Sequence, residues 1–271
     1  MIRQGLEFLT AARPLVRHPH RYAIAQRVIS ELRFRLRNRI PVDYFARLFP
    51  EVKPGAPLPA GDITHPFELP YAERFIAASL VSGIQPRTVF EFGTFTGTTT
   101  RLLADAAPGA RVHTIDLAEG EIAVWEDWIG DVVGLAFRGR PEYADRIVQH
   151  RCDSRTFDYT ELLGRCGLVF VDASHEYADV LHDSRRALAL VAPNGVVLWD
   201  DYQTGCDGVV RALNELHAEG IPLARVAHTR LVVHRPGGFP VALPAAHPQP
   251  WSDAPDHGRP DRIAAPGPNV P

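Results

Sequence analysis

Val89-Phe90-Glu91-Phe92-Gly93-Thr94-Phe95-Thr96-Gly97 constrains this chain more than any other stretch. Thr88 to Phe92 is a β-branched and aromatic run suited to a buried strand. Gly93 and Gly97 mark a tight turn that lets backbone approach a ligand closely. A helix is expected from Thr99 to Ala106, with Thr96 and Thr98 as candidate caps. A second strand follows, Arg111 to Asp116, and like the first it carries an acid at its end. Strand, glycine turn, helix and acid-ended strand make a nucleoside-binding βαβ unit.

The glycine spacing limits which nucleoside is bound. A dinucleotide fingerprint needs G-x-G-x-x-G, but Phe95 and Thr98 stand at its second and third glycine positions. The pattern is E-x-G-x-x-x-G instead. It resembles motif I of the class I S-adenosylmethionine (SAM) methyltransferases, in the variant of catechol O-methyltransferase-like enzymes. That resemblance implies that Glu91, Gly93, Thr94, Phe95 and Gly97 cradle the cofactor. Glu91 would help to hold its amino-acid part, and Asp116 would accept the ribose hydroxyls.

The rest of the chain extends the α/β pattern. Tyr71 to Gly83 reads as a helix leading into the first core strand. Further strands are expected at Ile147 to Arg151, Leu168 to Asp172 and Val196 to Trp199. A helix beginning at Tyr177 is expected to end at Pro193-Asn194-Gly195. A helix over Val209 to Ala218 and strands at Leu223 to Ala227 and Leu231 to His234 complete a doubly wound, Rossmann-like sheet of seven strands.

Three segments are expected. Residues 1–62 form an arginine-rich helical arm, 63–236 the SAM-binding domain, and 237–271 a disordered or loosely docked tail. The first 40 residues hold nine arginines against two glutamates. Within them, Tyr22 to Arg39 spaces Ile24, Val28, Leu32 and Leu36 at four-residue steps, as an amphipathic helix does. Such an arm suits packing on the core or a homo-oligomer contact. Pro41, Pro50, Pro54, Pro57, Pro59 and Gly61 then break the pattern. Ten prolines between Pro236 and Pro271 argue against a packed core in the tail. An insert at 117–146 holds Trp125, Trp128, Phe137 and Tyr143. These either shape a substrate site or pack on the sheet.

Composition excludes little. A net charge of −3 calls for no nucleic-acid partner. No apolar run reaches the ~18 residues of a membrane span, and no signal peptide is expected. Cys152, Cys166 and Cys206 form no C-x-x-C pair, which fits a reduced cytoplasm.

The chemistry gathers where two strands end. Asp172, Asp200 and Asp201 are expected together at the carboxyl edge of the sheet, where open α/β folds bind ligands. Three converging carboxylates repel one another unless a cation joins them. All-oxygen donors suit Mg²⁺ or another hard divalent cation. His175, three residues after Asp172, is a candidate general base because imidazole titrates near neutral pH.

The run from Val169 to Tyr202 carries D-A-S-H-E-Y, a helix, P-N-G, a strand and W-D-D-Y. It is similar to the SAM-dependent family that contains macrocin-type O-methyltransferases of antibiotic sugars. Where catechol-type members place a lysine three residues after the first metal aspartate, this chain has His175. The resemblance also implies an adenine contact at Asp153 and Ser154, and a cofactor contact at Asp172. The expected activity is methyl transfer from SAM to a hydroxyl of a small sugar-like or natural-product-like molecule, assisted by Mg²⁺. Two alternatives stay open: a metal-independent O- or N-methyltransferase, and a non-catalytic SAM- or nucleotide-binding protein.

Overall fold

The computed structural model describes residues 28–30, 32, 34, 36–53, 69–118 and 133–244. Its strands are β1 (Val42–Asp43), β2 (Thr88–Phe92), β3 (Arg111–Asp116), β4 (Ile147–Arg151), β5 (Cys166–Val171), β6 (Val191–Trp199), β7 (Leu223–Val226) and β8 (Val232–His234). Its α-helices with both ends described are α1 (Phe45–Leu48), α2 (Tyr71–Ile84), α3 (Thr98–Ala106), α4 (Tyr177–Leu190) and α5 (Asp207–Ala218), and residues 28–30, 32, 34, 36 and 37 are helical as well. All eight strands join one sheet in the order β1-β7-β8-β6-β5-β2-β3-β4. Only β8 runs antiparallel to its neighbours.

The sheet is buried on both faces, as crossover helices require. Alternation along each strand sorts side chains to opposite sides. Phe90, Phe92, Val169, Val171, Val197 and Trp199 pack with Val180 and Leu190 of α4 and Val209 and Leu213 of α5. Val89, Leu168, Phe170, Val196 and Leu198 pack with Leu80 and Val81 of α2 and Leu103 of α3. The result is a three-layer, doubly wound α/β fold with the topological switch between β2 and β5. Among the described residues, no helix is long and apolar enough to cross a membrane.

The structure departs from the sequence expectations in four places. The sheet has an eighth strand, because Val42 and Asp43 pair in parallel with Arg225 and Val226 of β7. A two-residue strand has no periodicity to detect. The residues around it also join the body of the fold. Phe34 and Ile40 enter one core cluster, and Leu48, Phe49 and Val52 enter the other.

The expected apolar stripe is turned outward. Val28, Leu32 and Leu36 are 52%, 55% and 53% exposed. Phe34 is buried instead, edge-on to Tyr202 at 5.6 Å. The helix therefore packs through its aromatic residue. Third, α3 is capped by Gly97 in the left-handed region, not by a threonine side chain. The turn closes early, with the Gly97 amide donating to the Thr94 carbonyl at 2.8 Å.

Fourth, α4 ends at Leu190, and Pro193-Asn194-Gly195 lies inside β6 as an irregularity. Proline has no N–H to give a ladder, so it sits where pairing is interrupted. Ile24, the Pro54 to Gly61 break, Trp125, Trp128 and the tail beyond residue 244 lie outside the described residues. Of the tail's first residues, Phe239 and Leu243 pack against the core.

Candidate active site

The glycine loop is held from both sides. Gly93 has φ 92°, and a Cβ there would lie 2.7 Å from the Asp172 carbonyl carbon, inside van der Waals contact. The residue must be glycine because the end of β5 passes directly against it. Phe95 has φ 44°, a conformation that costs a bulky residue about 1–3 kcal/mol. Hydrogen bonds hold it there. Its amide donates to Asp116 Oδ2 at 2.9 Å, and its carbonyl accepts from the Gly134 amide at 2.7 Å.

Asp116 also accepts from the amides of Thr94 at 3.0 Å and Leu117 at 2.9 Å. The acid of β3 thus clamps the loop that follows β2. Oδ2 is filled by the two loop amides, and Oδ1 keeps a further lone pair for a ligand hydroxyl. The Thr94 hydroxyl bonds Thr114 at 2.7 Å, so Thr94 presents backbone to the loop.

Glu91 faces the core layer beneath the loop. It is fully buried and accepts from the hydroxyls of Thr100 and, at 2.6 Å, Thr114. Burial raises its pKa from 4.5 to about 8, against the two hydroxyl bonds that lower it. Glu91 is therefore held largely neutral at pH 7. A raised folded pKa means that the native state binds the extra proton. Its contribution to stability is full below pH 4.5 and is lost as pH rises through about 8. Glu91→Gln is isosteric with the neutral acid. The variant should show a flatter dependence of unfolding free energy between those limits, measured by urea melts. A slope equal to the parent's would place the titration elsewhere.

The second half of the site forms where β5 and β6 end side by side. Val171 pairs with Trp199, which brings Asp172 beside Asp200 and Asp201. Oxygens of the three carboxylates lie within 4.8 Å of one another. Burial, then the charges of Asp200 and Asp201, push the Asp172 pKa well above its usual value. Asp200 is also raised, by burial first and by Asp201 second. Asp201 is lowered: burial opposes ionisation, but His175 and Arg230 outweigh it.

His175 stands on the turn between β5 and α4, and its Nε2 lies 2.7 Å from Asp201 Oδ2. That hydrogen bond raises the pKa of the imidazole. The turn is set by Gly208 at the start of α5, where a Cβ would meet the Tyr177 amide nitrogen at 2.6 Å. Asp172, Ser174, His175, Asp200 and Asp201 line one cleft.

Two members of this site were not singled out in the sequence. Arg230, in the turn before β8, reaches Asp200 Oδ2 at 2.5 Å and Asp201 Oδ1 at 3.0 Å. Glu73 of α2 accepts from the Arg230 amide at 3.1 Å. No local pattern marks either residue, since the pair is 157 positions apart.

Residues 90–202 match the family described as "Methyltransferase domain", over the stretch that contains both the glycine loop and the aspartate cluster. Over that stretch the chain is similar to methyltransferase domains. The open sheet, the glycine loop after β2 and the acid ending β3 agree with the arrangement that the sequence resemblance implies. Among curated proteins, no sequence matches the chain.

Solved structures similar to it include an SAH-bound Podospora anserina methyltransferase, at 15% identity and TM-score 0.48, covering 62% of this chain and 79% of that one. A Bacillus cereus O-methyltransferase in complex with SAH is 16% identical, with TM-score 0.42 and coverage of 63% and 84%. A Streptomyces achromogenes O-methyltransferase involved in tomaymycin synthesis, in complex with SAM, is 21% identical, with TM-score 0.41 and coverage of 63% and 82%.

The remaining expected site residues lie beyond β4. Asp153 accepts from the Arg155 amide at 2.8 Å in a side-chain turn. The Ser154 hydroxyl donates to Asp183 of α4 at 2.7 Å. The hydroxyl proton of Ser154 is therefore committed within the protein. Phe137 and Tyr143 of the insert are buried packing residues, and the Tyr143 hydroxyl donates to Asp105 at 2.9 Å.

Proposed function

We propose that the chain transfers a methyl group from SAM to a hydroxyl of a small molecule, with a divalent cation, Mg²⁺ first, held by Asp172, Asp200 and Asp201. One observation carries this reading: three carboxylates and an aspartate-bonded histidine meet at the carboxyl edge of the sheet, beside the glycine loop. The donor set is all oxygen, and Asp200 Oδ1 is buried without a hydrogen-bond partner, so the residues fit a hard cation. A bound cation would polarise the acceptor hydroxyl and lower its pKa.

The chain's own groups do the rest. The Nε2–H of neutral His175 donates to Asp201, which leaves Nδ1 as the nitrogen that accepts the hydroxyl proton. Asp201 then stabilises the imidazolium that forms, and its hydrogen bond keeps the ring oriented. Gly93, Thr94, Phe95 and Gly97 offer backbone to the donor, and Asp116 offers the free lone pair of Oδ1 to its ribose. Because Gly93 touches the residue that starts the acid cluster, donor loop and acceptor site are aligned through one contact. The sequence resemblance to macrocin-type enzymes supports a sugar or similar hydroxylated metabolite as acceptor.

A second reading has His175 working without metal, and Arg230 favours it, because a guanidinium already neutralises two of the acids. A panel of hydroxylated metabolites assayed with SAM separates the two. On the first reading, excess chelator abolishes turnover and Mg²⁺ restores it. Asp200→Asn and Asp201→Asn then raise the Mg²⁺ needed while calorimetric SAM affinity stays within about threefold. Full turnover in excess chelator selects the second reading.

A further inference from the structure

Arg230 is poised between two partners. Its backbone is pinned, since its amide donates to Glu73 Oε1 at 3.1 Å and its carbonyl accepts from the Tyr202 amide at 3.1 Å. Only the side chain is left to move, and it is 25% exposed. The guanidinium now spans Asp200 Oδ2 at 2.5 Å and Asp201 Oδ1 at 3.0 Å. The span leaves Nε buried without a hydrogen bond, 3.9 Å from Glu73 Oε1. A buried donor without a partner costs about 1–3 kcal/mol. A small swing toward Glu73 would satisfy it, free Asp200 Oδ2 and leave Asp201 Oδ1 with the neutral Gln203 amide alone.

The oxygens in question are the ones that a cation would need. Of the four on Asp200 and Asp201, Arg230 takes two, sharing Asp201 Oδ1 with Gln203 Nε2 at 2.7 Å, His175 takes a third, and only Asp200 Oδ1 is unpartnered. We propose that Arg230 is a tethered competitor of the divalent cation, neutralising Asp200 and Asp201 when no metal is bound and moving onto Glu73 when one enters. This inference rests on the metal reading above. It adds that metal affinity is set by the contest between Arg230 and the incoming ion, with Glu73 as the second resting place. The net charge near the three acids then stays compensated in both states, which keeps the repulsion of like charges at close range from loosening the site.

The test is calorimetric titration of Mn²⁺ into the full chain, without SAM or acceptor. Removing a positive charge a few ångströms from a divalent ion should tighten binding by about tenfold or more even where screening is strong, so Arg230→Gln is expected to bind Mn²⁺ at least tenfold more tightly than the parent. Glu73→Gln removes the alternative partner's charge but keeps an acceptor for the Arg230 amide, and is expected to bind Mn²⁺ more weakly. Equal or weaker Mn²⁺ affinity in Arg230→Gln overturns the role of Arg230 while leaving the metal reading in place. Absence of Mn²⁺ binding in parent and variant alike overturns both. Should Arg230→Gln lose its cooperative melt, Glu73→Gln decides, and an affinity equal to the parent's counts against the proposal.

Discussion

His175→Ala should lower kcat by about 10²–10⁴-fold, the usual contribution of a positioned proton acceptor. The geometry makes this the largest catalytic effect expected of a single side chain. His175 is the imidazole bonded to the aspartate cluster, with Nε2 at 2.7 Å from Asp201. SAM affinity should change little, because His175 lies on the turn after β5 and not in the loop of Gly93 to Gly97. The hydrogen bond to Asp201 raises the imidazole pKa above 6.5, and the base must be neutral to accept a proton. The acid limb of the kcat profile should therefore lie above pH 6.5 in the parent and disappear in the variant. The deficit should shrink at high pH, where the acceptor needs less help to ionise. A fall of less than about threefold at neutral pH, in an assay limited by chemistry, would return His175 to the status of a turn residue.

Gly93→Ala should be the most damaging small substitution in the fold. The new methyl meets the Asp172 carbonyl and also lies 2.9 Å from the Ala173 Cα. Both neighbours are backbone, so no side chain can rotate away. The φ of 92° adds strain for any L-residue other than glycine. Relief requires β2 and β5 to part at the edge where the Asp172 amide donates to the Phe92 carbonyl. A loss of about 4 kcal/mol or more places the change in the tail of measured point mutations. In a domain of this size that corresponds to a melting temperature lower by about 10 °C. Gly109→Ala is the control, since its Cβ would meet nothing within 4 Å. A melt of Gly93→Ala that matches the control would show that β5 does not press on the loop as described.

Much of this protein was legible residue by residue. Strand and helix positions follow from side-chain alternation and helical spacing, which are local properties. β4 was expected at Ile147 to Arg151 and is found there, because five residues between polar breaks suffice to show it. The convergence of Asp172, Asp200 and Asp201 was also readable, since parallel strands in this fold place their carboxyl ends at one edge. What tertiary structure alone decided concerns partners. Glu91 reads as an acid for the cofactor, yet Thr100 and Thr114 enclose it, and burial keeps it neutral against their hydrogen bonds. Three acids read as a call for a cation, yet Arg230 answers part of it from 30 positions away along the chain. Val42 and Asp43 become a strand only because β7 offers them an edge. Each of these outcomes depends on a contact distant in sequence, and periodicity, composition and turn residues record only what neighbours along the chain impose on one another.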